Sequence, residues 1–74
     1  MKNMTKQKIK EIVKGSGAYL DFEKFEVLLH PLNGANFVYS GCKYTQNFEE
    51  VWETIERYDW KIKIDGQDEY INVI

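Results

Sequence analysis

A single cysteine, Cys42, cannot close an internal disulfide, so the covalent framework of many small secreted domains is excluded and a reducing, cytoplasmic setting is expected. With His30 the one histidine, neither CxxC nor HxxxH spacing exists, and no metal and no other cofactor is expected. Apolar runs are short. The longest, Val27-Leu28-Leu29, falls far below the ~20 residues of a membrane span, and no apolar segment follows the early lysines, so neither a signal peptide nor a membrane helix is expected. One proline and five glycines, beside 43% hydrophobic and 30% charged residues, exclude a fibre or a disordered tail. The 74 residues make one domain, 1–74, because chains split into separate cores only beyond roughly 250 residues. A chain this short hides only about 60% of its unfolded surface, which leaves little room for a deep enzyme pocket. Its eleven aromatic residues must supply much of the core.

Charge is scarce in one form and segregated in the other. There is one arginine, Arg57, beside nine lysines, so the planar fork that recognises phosphate and guanine bidentately is nearly absent. Residues 1–14 carry five lysines against one glutamate, whereas residues 15–74 carry five basic and eleven acidic side chains. The net charge of −2 therefore conceals a basic start and an acidic remainder, a layout that bears on partners and association rates.

Periodicity places the elements. From Asn3 to Lys14, Met4, Ile9, Ile12 and Val13 share a helical stripe while Lys2, Lys6, Lys10 and Lys14 recur on another, and Gly15-Ser16-Gly17 supplies the stop. Between 18 and 30 both periods are present. Phe25, Val27 and Leu29 alternate as in a strand, yet Phe22, Phe25, Leu29 and Leu32 also fit a helix behind Asp21. Strand is favoured, because the turn residues His30–Gly34 lead to a β-rich segment, Asn36–Ser40, as its hairpin partner. A phase change between Leu20/Phe22 and Phe25/Val27 requires a turn near Glu23-Lys24 and suggests a separate short strand at 18–22. Gly41 offers a further bulge before Cys42-Lys43-Tyr44. The clearest element is a second helix capped by Asn47, with Glu50 completing a capping box and Thr45 the alternative cap. Phe48, Val51, Trp52 and Ile55 form its apolar stripe. A closing hairpin runs from Trp60–Ile64 through Asp65-Gly66-Gln67-Asp68 to Tyr70–Ile74. The expected fold is α+β, order α-β-β(-β)-α-β-β: a mainly antiparallel sheet of four to five strands with two helices on one face.

Catalytic signatures are missing. His30 could act as a base, and Cys42 with His30 as nucleophile and base, but no third orienting group accompanies them. A turn histidine and a small buried thiol are the simpler readings. Glu49 and Glu53 on an exposed helix face are better read as a solvated surface than as an acid–base pair. No enzyme is expected. Nucleic-acid binding would use Lys2, Lys6, Lys10 and Lys14 on phosphates, with stacking by the exposed members of Tyr19, Tyr39, Tyr44 and Tyr70. The pI near 5.3 and the single arginine weigh against it. A homo-oligomer, in its simplest form a homodimer, would follow if Tyr70–Ile74 were an unpaired sheet edge.

The expectation that fits best is a protein-binding module. Glu49, Glu50, Glu53 and Glu56 line one outward helix face with Tyr58 and Asp59 beside them, an acidic surface suited to the basic groove of a partner protein, including a groove built for DNA or RNA. In size and charge the chain resembles small acidic α+β proteins of phages and mobile elements, among them inhibitors of host-defence nucleases. That resemblance is of type alone and shares no motif, and the expectation of nucleic-acid mimicry comes from the acidic face itself.

Overall fold

The structure, a computed structural model describing residues 2–36 and 40–74, runs β1 (Lys2–Met4), α1 (Lys6–Ser16), β2 (Ala18–Asp21), β3 (Glu26–Leu29), β4 (Cys42–Thr45), α2 (Phe48–Tyr58), β5 (Lys61–Ile64), β6 (Ile71–Val73). A 3-10 turn, Gly34–Asn36, lies between β3 and β4. The class is α+β, with more strands than expected and two parallel pairings. Four strands are ordered β4-β2-β3-β5, β1 pairs with β6, and an antiparallel bridge between Lys63 and Tyr70 joins the two groups. β2 is antiparallel to both β3 and β4, whereas β3–β5 and β1–β6 are parallel.

One sheet face and two helix stripes make the core. Ala18 and Leu20 of β2, Val27 and Leu29 of β3 and Ile62 of β5 meet Ile9, Ile12 and Val13 of α1 and Phe48 and Val51 of α2. Burying such a side chain stabilises the fold by about 1.5–3 kcal/mol. Both helices therefore cover the same face, as expected. β2 and β3 are central, and all four residues of each are buried, so their other face is covered too. There Tyr19 is 1% exposed. Its hydroxyl donates to the Gly34 carbonyl at 2.5 Å, and its ring meets Tyr44 edge-on.

Several expectations need correction. Residues 2–4 are strand, not helix, because Thr5 takes the N-cap position, its side chain accepting from the Lys8 N–H, while the backbone before it pairs with β6. Lys2 therefore stands outside the helical lysine row. α1 also runs past Gly15 to Ser16 and ends on Gly17, whose N–H reaches the Ile12 and Val13 carbonyls. The ambiguous stretch is two strands joined by a turn at 22–25, where the phase change lies. The partners of β3 are β2 and β5. The expected strand at Asn36–Ser40 falls mostly on Phe37, Val38 and Tyr39, outside the described residues. Among the described residues the closing segments pair as strands at the Lys63–Tyr70 bridge alone, because β6 pairs along its length with β1 instead. Tyr70–Ile74 is thus not an unpaired edge, and the homo-oligomer expected from it loses its basis.

Candidate functional site

The acidic helix is built by local chemistry. The Asn47 side chain accepts from the backbone N–H groups of Glu49 and Glu50, which fixes the start of α2. The capping box is only half made. The Asn47 N–H donates to Thr45 Oγ1, and the Glu50 carboxylate turns instead to Lys43, 2.6 Å away. Both capping candidates are therefore used, one for each half of the task. The bond from Lys43, then that from Thr45, holds the Glu50 carboxyl below its usual range. Glu49 and Glu50 in the first turn also meet the positive end of the helix dipole.

Packing then orients the face. Phe48 and Val51 are buried, Trp52 and Ile55 rest half-buried against the core, and the Phe48 and Trp52 rings stack at 5.7 Å. Glu49, Glu53 and Glu56 are left exposed on the outside. Glu53 pairs with Arg57 at 3.2 Å, an exposed i,i+4 contact. Among the described residues, neither Glu49 nor Glu56 forms an ion pair. Tyr58 is exposed at the end of the helix, and Asp59 closes it in the left-handed region with φ of 56°. Of the residues expected at the partner surface, Glu49, Glu53 and Glu56 lie together, Tyr58 borders a neighbouring depression with Glu50, and Asp59 lies apart beside Trp60.

The lysine row is spent differently. Lys6 Nζ lies 4.7 Å from the Trp52 ring and Lys10 Nζ 5.9 Å from Phe48, so these cations cap the aromatic seam between the helices. Lys14 is exposed in the last turn of α1. The tyrosines offer little stacking surface. Tyr19 is buried, Tyr44 donates to the Ser16 carbonyl, Tyr70 donates to Glu26, and Tyr39 lies outside the described residues. Lys61, Lys63, Tyr70 and Asn72, on the last two strands and the residue before β6, are engaged within the protein as well. Lys61 Nζ sits 4.9 Å from the Tyr70 ring, and Asn72 reaches Asn3.

His30 and Cys42 are not brought together. Cys42 is level with Asp21 and Glu26 across the sheet, whereas His30 follows the far end of β3, about 13 Å away at ~3.3 Å per residue. His30 has φ of 51° and its Nδ1 is 3.1 Å from Ser16 Oγ, as befits a turn residue. Among the described residues, no group of three His, Cys, Asp or Glu side chains is placed to hold a metal ion, and no helix is long and apolar enough to cross a membrane.

Two features escaped the sequence reading. At the β2–β3 turn, Phe22 and Phe25 are exposed and set edge-on to Trp60 at 5.3 and 5.9 Å, with Phe25 at φ of 59°. On the sheet face away from the helices, an open cleft of about 400 Å³ gathers acidic residues around the buried Glu26. The left-handed Phe25 had no signal in composition, and the cleft joins segments remote in sequence. Comparison with protein-family models, curated proteins and solved structures finds no match to this chain.

Proposed function

We propose that this protein is a non-enzymatic cytoplasmic binding module that uses the outer face of α2 to occupy a basic surface of a partner protein, as a small acidic inhibitor. The observation that carries this reading is the exposure of Glu49, Glu53 and Glu56 on one side of a helix whose other side is locked into the core. Rigidity matters, because a surface already held in its bound form loses little entropy on docking. The sign of the charge suits a nucleic-acid-binding groove. Glu49 to Glu56 spans about 10 Å at ~1.5 Å per residue, and one DNA strand presents a phosphate every ~3.4 Å. Glu49, Glu53 and Glu56 place three carboxylates over that length, a sparser row than a phosphate strand, with Arg57 offsetting one of them and Glu50 turned away to Lys43. Tyr58, exposed at the end of the row, adds apolar area with a polar tip, a combination enriched at protein contacts. The test is competition. A partner held by the immobilised protein should be released by short duplex DNA and not by neutral dextran, and a partner that keeps its hold against DNA would overturn the mimicry.

A further inference from the structure

We propose that the cleft on the sheet face opposite the helices is a guanidinium-binding site, taking the side chain of an arginine or of an arginine-like small molecule. Four strands and two turns build it. Asp21 ends β2, Glu23 lies in the β2–β3 turn, Glu26 opens β3, Lys63 belongs to β5, and Asp65 and Asp68 lie in the segment between β5 and β6. These carboxylates are opposed by two ammonium groups, Lys24 and Lys63, so the lining carries an excess of three negative charges. The Cys42 thiol, in the same lining, reports that field: burial first, and then Asp21, Glu23 and Asp65, push its pKa up.

The acidic excess surrounds a buried carboxylate, Glu26, that is ion-paired with Lys63 and has one oxygen without a hydrogen bond. The Glu26 side chain is 7% exposed. One oxygen, Oε2, accepts the Tyr70 hydroxyl at 2.5 Å, and the other, Oε1, accepts no hydrogen bond. Lys63 Nζ is 3.7 Å from Oε1, near enough to balance charge and too far to bond. A buried acceptor that an ion pair neutralises without a hydrogen bond is still incompletely satisfied, so the site gains by admitting a ligand that supplies a donor. With no three-ligand metal group among the described residues, an organic cation is the fitting class. A planar guanidinium suits the site better than a second ammonium, because its five donors can serve Oε1 and the rim carboxylates together. Leu28, part of the lining, offers an apolar floor for the aliphatic stem. Lys63, whose side chain is 20% exposed, can swing outward as the ligand enters. The site is independent of α2 and uses none of its residues.

The test is an NMR titration of the whole chain with capped arginine (N-acetyl-arginine methylamide), capped lysine and the peptide Gly-Gly-Arg-Gly-Gly. Amide shifts should concentrate at 21–28 and 63–70, with capped arginine binding several-fold tighter than capped lysine. Lys63→Met should tighten arginine binding several-fold by removing the resident cation. Glu26→Gln should abolish it, and because that change touches a buried group, the exposed pair Glu23→Gln/Asp68→Asn is the second variant, expected to weaken binding several-fold with folding intact. A peptide that binds tighter than the capped residue assigns the site to a polypeptide arginine; the reverse assigns it to a small molecule. Reversal of Glu49, Glu53 and Glu56 to lysine should leave the titration unchanged, so failure here is separable from failure of the α2 surface. Equal affinity for arginine and lysine, shifts centred elsewhere, or no shifts at millimolar probe would overturn the proposal.

Discussion

Gly17 ends α1 with φ of 85° and lies against the Tyr44 ring, whose hydroxyl donates to Ser16. A Cβ there would enter the ring and strain the backbone as well, so Gly17→Ala should cost about 1–3 kcal/mol, a fall in melting temperature of at least several degrees. Gly15, helical and facing open space, is the control. Gly15→Ala should raise stability by up to ~1 kcal/mol in the same thermal scan. The Lys43–Glu50 pair gives a pH signature. Because the folded carboxyl titrates below its unfolded value, its stabilisation is present above about pH 4.3 and is lost as pH falls through the lowered folded pKa. Lys43→Met should therefore be less stable than wild type at pH 7, by roughly 0.2–1 kcal/mol for a largely exposed pair. The gap should close on acidification. Denaturant midpoints across pH check this, and a gap that widens toward acid would contradict it.

At the scale of elements, α2 depends on its cap. Asn47→Ala removes the acceptor for two N–H groups and should cost about 0.5–2 kcal/mol, with a matching loss of helical signal as denaturant rises. This helix was legible in the sequence because its cap, stripe and charged face lie within consecutive residues. β1 was not. Met4 fits the helical stripe that follows it, and the competing claim on residues 2–4 is a pairing with Ile71–Val73 at the other end of the chain. The same limit applies to β3, whose alternation marked a strand but whose parallel partner, β5, is reached only through a crossover containing α2. The acidic face of α2 could be read from local spacing. The cleft around Glu26 could not, since Asp21, Glu26 and Asp65 are assembled by strand register and a turn, and nothing local marks Glu26 as buried.

Across the whole molecule, β1 closes the sheet by docking on β6 and burying Met4. Met4→Asp would place a charge in the core and release that strand, so it should lower the denaturant midpoint markedly. It should also produce concentration-dependent association through the bared β6 edge, visible by size-exclusion chromatography. Basic α1 and acidic α2 share one side of the sheet; Lys6 and Lys10, nearest the seam, are engaged by Trp52 and Phe48, while Lys8 and Lys14 of α1 and Glu49, Glu53 and Glu56 of α2 stay exposed. The most direct measurement is parallel partner capture by wild type and by the Glu49→Lys/Glu53→Lys/Glu56→Lys protein, after circular dichroism shows both folded. The account predicts that the reversed protein keeps its spectrum and captures nothing that wild type captures; equal capture by the two would contradict it.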